Sequence, residues 1–232
     1  MPDSRQRLIV ALDVSSAAAA RKIVAAVGDS ARIYKVGMQL FTAEGPPIVR
    51  ELIASGREVF LDLKFHDIPN TVAAAVREAA NLGVSMLTVH AAGGGTMLRA
   101  AVEAARATNP ATMVLGVTVL TSLDESDLEH GGVRGSVVDH VVRLAALAIT
   151  SGCHGVVASA REAATLRTEL GEDFLIVTPG VRPVGVGHGD QARVVTPSEA
   201  MASGASYIVV GRPITDADDP AAEAREILAQ MA

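Results

Sequence analysis

Short aliphatic runs recur along the chain, each separated from the next by a longer, Ala-rich segment whose apolar residues return every three or four positions. The first pattern is that of strands buried on both faces, and the second is that of amphipathic helices. Eight runs predict strands at residues 8–12, 33–36, 59–63, 86–89, 113–119, 155–157, 175–177 and 207–210. Their apolar character on both faces suits strands covered by helices outside and by packed side chains inside. The intervening segments predict helices at 17–27, 46–55, 71–82, 96–107, 137–151, 160–170, 197–203 and 221–229. Pro46, Pro47 and Pro197 suit a first helical turn, while Gly56, Gly83, Gly152, Gly171 and Gly204 fall where a left-handed C-terminal cap is wanted. With no linker, low-complexity tract or charge block, eight βα units predict an α/β fold, a (β/α)8 TIM barrel forming one domain over residues 1–232 after a short tail at 1–7. The break in regularity is the glycine- and proline-rich stretch 179–191, which predicts a mobile loop.

Composition narrows the function classes. At 232 residues the length alone fits either one barrel or two average domains, and the βα repetition decides for the barrel. Hydrophobic residues make up 49% of the chain and aromatic residues only 3%, which indicates an aliphatic core rather than a base-stacking protein. A net charge of −6 without a Lys/Arg cluster argues against a nucleic-acid or anionic-membrane surface but still permits a small anion in a cleft. No apolar stretch reaches membrane-spanning length, and the apolar run before Asp13 is too short for a signal-peptide core. The single cysteine, Cys153, excludes an intramolecular disulfide and reads as a buried small hydrophobe in a reducing compartment. A cytoplasmic location is therefore expected.

In a barrel of this kind chemistry resides at the carboxyl ends of the strands, and polar residues collect there. Asp13 ends the first strand, Lys35 lies in the second, Asp62 and Lys64 end the third, His90 the fourth, and Thr121 follows the fifth. The seventh strand leads into Gly180 and Arg182, the eighth into Gly211 and Arg212. Asp62, Lys64 and Asp67 place two carboxylates and one ammonium within six residues; strand alternation sends Asp62 and Lys64 the same way, with Asp67 on the exit loop. Each residue has an ordinary explanation taken singly: an ion pair closing a strand, a helix cap, a solvated loop charge. Jointly that explanation must recur at one end of nearly every strand.

The Gly/Arg pairs after strands seven and eight carry their own logic. Glycine lets backbone N–H groups approach an anion, and arginine offers a planar fork of donors matched to phosphate oxygens. Gln191, at the far end of the loop, is placed to close over a phosphate as part of a lid. Gly93-Gly94-Gly95 is read as a tight turn. The six histidines show no metal-ligand spacing, so no metal is assigned, and His90 is read as an orienting or packing residue.

In this order Ala11-Leu12-Asp13, Lys35-Val36-Gly37, the block from Asp62 to Thr71 (DLKFHDIPNT), Pro179-Gly180-Val181-Arg182-Pro183, Gly189-Asp190-Gln191 and Val210-Gly211-Arg212 closely resemble the orotidine 5′-phosphate decarboxylase family. The similarity runs from about Leu8 to the C-terminal helix, and the DxKxxDxPxT block is its most specific element. The resemblance implies conversion of orotidine 5′-monophosphate to UMP and CO2, the last step of pyrimidine nucleotide synthesis, by a homodimeric barrel without a cofactor. It implies Lys64 as proton donor, flanked by Asp62 and by Asp67 of the partner subunit. It further implies that Asp13, Lys35 and the partner subunit's Thr71 hold the ribose hydroxyls and Thr121 the pyrimidine, with Arg182, Gln191, Arg212 and the Gly211 backbone on the phosphate.

The residue types suit that chemistry. Loss of CO2 from the ring leaves an electron pair in the ring plane, where the π system is no sink, so the protein must supply the stabilising charge. An ammonium whose attraction grows as charge moves onto carbon favours the transition state over the substrate. Two rivals remain open on sequence. A metal-dependent sugar-phosphate lyase or decarboxylase on a related barrel shares an acidic-Lys-acidic block, although Lys35 stands where such relatives typically carry a glutamate. A non-catalytic phosphate-ligand sensor needs the phosphate loops but not Asp62, Lys64 and Asp67 together.

Overall fold

The eight apolar runs pair side by side in chain order: β1 (Leu8–Ala11), β2 (Ile33–Gly37), β3 (Glu58–Phe65), β4 (Met86–His90), β5 (Met113–Val117), β6 (Gly155–Val157), β7 (Leu175–Thr178) and β8 (Tyr207–Val210). All pairings are parallel, and β1 joins β8 to close the barrel. This is the (β/α)8 architecture that the repetition predicts, seen here in a computed structural model that describes residues 7–183 and 195–231. No described helix is long and apolar enough to cross a membrane.

Helices follow the strands because their ends are written chemically. Ser16 caps α1 (Ala17–Val27) by accepting the Ala19 N–H, and Ser136 caps α7 (Val137–Thr150) in the same way. Reciprocal capping boxes start α8 (Ala160–Leu170) from Ser159 and Glu162, and α9 (Pro197–Ala202) from Thr196 and Glu199. The five glycines expected at C-terminal caps all have positive φ. The remaining long helices are α3 (Pro46–Ala54), α4 (Pro69–Asn81), α5 (Gly94–Thr108) and α11 (Pro220–Gln230).

Three short helices escape the hydrophobic pattern. They are α2 (Met38–Glu44), α6 (Glu125–His130) and α10 (Arg212–Thr215). In α6 only Leu128 is buried, so there is no period to read, and the helix rests instead on a capping box between Asp124 and Asp127. Of the glycines expected to form a tight turn, Gly93 closes a 3-10 turn at Ala91–Gly93, whereas Gly94 and Gly95 open α5. The fifth strand ends at Val117, two residues short of the apolar run, because Val119 is buried outside the ladder.

Two cores result. The inward-facing residues Ile9, Ile33, Phe60, Met86, Leu115, Val177 and Val209 fill the barrel interior, and a larger cluster packs the sheet against the helices. At the amino-terminal end of the barrel, the Arg7 guanidinium donates to the carbonyls of Ser206 (2.9 Å) and Ala205 (2.8 Å), fastening the entry to β1 against the start of β8.

Candidate active site

Two positions beyond the apolar filling, the inward-facing residues turn polar. Ile33 is followed by Lys35 on β2, Phe60 by Asp62 on β3 and Met86 by Thr88 on β4, so the period of a strand delivers charge to the carboxyl end of the barrel. A cavity of about 560 Å³ opens there, with Ala11, Phe60, Val117, Val157 and Val209 among the apolar residues that line it. Ala11 lies in register with Lys35, and its methyl group leaves room for the lysine stem.

The charges in this cavity alternate in sign. Asp13 Oδ1 lies 2.7 Å from Lys35 Nζ, Lys35 Nζ lies 3.8 Å from Asp62 Oδ2, and Asp62 Oδ2 lies 2.8 Å from Lys64 Nζ. The side chains of Lys35, Asp62 and Lys64 are only 12%, 13% and 23% exposed, whereas Asp13 is 58% exposed at the mouth. Charges this sheltered are costly unless paired, and each inner member here has an opposite charge beside it. Gly37 protects the outer pair: a Cβ at that position would sit 2.9 Å from Lys35 Nζ and 3.2 Å from Asp13 Oδ1.

Lys64 reaches the cavity by an unexpected route. Simple alternation places it beside Asp62, but between the register pairs Leu61–Leu87 and Phe65–Val89 three residues of β3 face one of β4. Lys64 absorbs the bulge with φ +52°, the sole positive φ among described non-glycine residues. That conformation costs roughly 1–2 kcal/mol for a residue with a Cβ. Thr88, which sequence reasoning passed over, sits opposite the bulge: its hydroxyl accepts the Lys64 N–H at 2.9 Å and donates to Asp62 Oδ1 at 3.0 Å. The signal available was a hydroxyl two residues after the inward-facing Met86, in the otherwise apolar stretch Met86–Val89.

Thr121, Gly180, Arg182, Gly211 and Arg212 line the same cavity, joined at its rim by Pro213 and Asp216, which the sequence had not singled out. Arg182 is buried, at 8% exposure, and its backbone N–H donates to the Val195 carbonyl. Arg212, the first residue of α10, is exposed, and Gly211 passes close to Ala11 and Asp13. Gln191 and most of the predicted loop lie outside the described residues. Asp67 and Thr71 do not line the cavity: both are exposed, and Asp67 Oδ1 accepts the N–H of Ile68 at 2.6 Å. Beside them on the surface, Ile68 is 65% exposed.

Burial, then the neighbouring charges of His66 and Lys64, push the His90 pKa down, which leaves its ring neutral at neutral pH. That ring stays out of the cavity lining and packs 5.3 Å from His66. Burial alone drives the Cys153 thiol up to about 12, so it is no nucleophile at neutral pH. Among the described residues no group of three or more His, Cys, Asp or Glu is arranged to hold a metal ion. The site thus offers two sheltered ammonium groups above an apolar floor, with two guanidinium residues in the same lining.

Residues 6–227 match the family model described as Orotidine 5′-phosphate decarboxylase / HUMPS family. The chain is 52% identical to the orotidine 5′-phosphate decarboxylase of Moorella thermoacetica, over 98% of this chain and 93% of the relative. It is 53% identical to the protein of the same name from Anaeromyxobacter dehalogenans, over 97% of this chain and 98% of the relative. The crystal structure of orotidine 5′-phosphate decarboxylase from Lactobacillus acidophilus superposes with a TM-score of 0.88 at 39% identity, covering 97% of this chain and 99% of that one.

Proposed function

The chain belongs to the orotidine 5′-phosphate decarboxylase / HUMPS family and is an enzyme of the carboxy-lyase class, and from that premise we propose that it converts orotidine 5′-monophosphate to UMP and CO2 without a cofactor. The reaction is the last step of de novo pyrimidine nucleotide synthesis. The observation that carries this reading is the alternating array Asp13, Lys35, Asp62, Lys64 above an apolar floor, in one cavity with Arg182 and Arg212.

In this reading the phosphate is held by Arg182, Arg212, Gln191 and the backbone N–H of Gly211. Asp13 and Lys35 take the ribose hydroxyls, and Thr121 takes the pyrimidine. The bond from C6 to the carboxylate then breaks, leaving its electron pair on C6 within reach of Lys64. The ammonium stabilises that charge, and a proton passes from Nζ to C6 to give UMP. At ~4 Å and an effective dielectric of ~20 the gross attraction between unit charges is about 4 kcal/mol, and only its increase during the reaction accelerates it. Binding energy from the phosphate and ribose contacts supplies the rest by ordering the site and excluding water.

Cofactor independence finds support in charge. A divalent ion placed beside Asp62 would meet the ammonium groups of Lys35 and Lys64, 3.8 and 2.8 Å from the carboxylate, and be repelled. A homodimer accounts for the placement of Asp67 and Thr71, which lie exposed outside the lining of their own cavity next to the exposed Ile68 and so are available to a neighbouring one. Residues 1–232 form one catalytic domain in this reading, and the lone buried thiol suits the cytoplasm.

Incubation of purified, metal-stripped protein with orotidine 5′-monophosphate, followed by ultraviolet absorbance and CO2 release, is expected to show turnover that chelators leave unchanged. Activity that disappears on chelation would favour the metal-dependent rival, and UMP binding without turnover the sensor. Arg212→Ala is expected to lower kcat/KM by about tenfold to a hundredfold, the loss of a charge-assisted hydrogen bond to phosphate. Steady-state kinetics with the intact fold verified by circular dichroism would check this; an unchanged kcat/KM removes Arg212 from the phosphate site.

A further inference from the structure

The ladder between β3 and β4 has a gap at the most important point of the site. Because three residues of β3 face one of β4, the Lys64 N–H has a side-chain partner, Thr88 Oγ1, instead of a ladder carbonyl. A threonine hydroxyl has one proton to give and can accept as well, and both capacities are committed here: it accepts from Lys64 N at 2.9 Å and donates to Asp62 Oδ1 at 3.0 Å. Occupying Oδ1 leaves Oδ2 for the two ammonium groups, Lys64 at 2.8 Å and Lys35 at 3.8 Å. Thr88 is wholly buried on a barrel strand, and its branched side chain has little rotational freedom. One rigid hydroxyl therefore holds the backbone of the lysine and the carboxylate of the aspartate at once.

We infer that Thr88 is a positioning residue for the decarboxylation, fixing the Asp62–Lys64 pair through the bulge that brings Lys64 into the cavity. The inference rests on the decarboxylase reading of that pair. Without the hydroxyl the Asp62 carboxylate is free to turn and the Lys64 N–H loses this acceptor, which loosens the left-handed conformation of the lysine between the flanking pairs Leu61–Leu87 and Phe65–Val89. Substrate affinity, which resides in the ribose and phosphate contacts, does not depend on this hydroxyl.

The test compares Thr88→Val, which keeps the shape, and Thr88→Ser, which keeps the hydroxyl, in the full chain. For Thr88→Val we expect kcat to fall about tenfold to a hundredfold, the penalty of misplacing a reacting group by about an ångström, while KM and UMP affinity stay within about threefold. Thr88→Ser is expected to recover most of that loss. Independently of turnover, hydrogen exchange at the Lys64 amide should quicken at least about tenfold in Thr88→Val and not in Thr88→Ser. A kcat for Thr88→Val within about twofold of the unsubstituted protein, or serine no better than valine, overturns the inference. Should valine prevent folding, Thr88→Ala is read in its place, and collapse of both would show a purely structural role and overturn it too. An unsubstituted protein that does not turn over orotidine 5′-monophosphate defeats the decarboxylase reading, whereas unaltered exchange at Lys64 in Thr88→Val defeats the positioning role, so the two failures are distinguishable.

Discussion

Lys64→Ala is expected to abolish decarboxylation while leaving a folded barrel that still binds UMP. The lysine belongs to neither hydrophobic cluster, and its side chain ends in the cavity, so its removal takes little from the packing. Its chemical duties are two: the growing attraction to charge on C6, and delivery of the proton. Removal of a preorganised electrostatic contact costs on the order of 10²–10³ in kcat and of a proton-transfer group a similar factor, so a combined loss of about 10⁴ or more is expected. Among the described residues Asp62 then keeps only Lys35, 3.8 Å away, as an ionic partner on Oδ2. UMP has no carboxylate to meet that uncompensated negative charge, and its affinity should change little. Turnover, UMP titration and thermal unfolding together check the expectation, and a near-normal kcat in the folded variant would remove Lys64 from the chemistry.

That lysine also shows where sequence legibility stops. The eight strands and their helices were readable because packing demands a period: α1 and α8, with β6 and β8, begin and end at the predicted residues. Helices held by capping rather than by a buried face were not readable, as α6 shows, since two aspartates and one leucine carry no period. Alternation correctly put Asp62 and Lys64 on one side, but the physical cause is a bulge, and a bulge depends on the partner strand's register, which no local pattern reports. Thr88 was hidden for the same reason. A threonine in a β-strand is ordinary, and its significance arises only when the register sets it opposite Asp62 and Lys64. By contrast, the charged residues at successive strand ends were legible because ionic groups next to an aliphatic core have few structural uses.

Mixing two inactive variants, Lys64→Ala and Asp67→Ala, is expected to restore activity if sites are shared between subunits. Asp67 stands outside the cavity of its own chain, exposed, its Oδ1 accepting the Ile68 N–H, and Thr71 lies exposed one helical turn further on. A carboxylate so placed is either a local turn-forming group or a contribution to a second copy. Local turn formation predicts that Asp67→Ala alone loses little kcat. Sharing predicts a severe loss for Asp67→Ala and a hybrid dimer with one intact site, formed by Lys64 of one subunit and Asp67 of the other. Random re-association of equal amounts makes half of all dimers hybrid and leaves about a quarter of the sites whole, so about a quarter of full activity should return. Exchange must be verified separately, for example with differently tagged subunits. Proven exchange without recovery would show that Asp67 serves its own chain, and the exposed rim around Ile68 would then need another explanation.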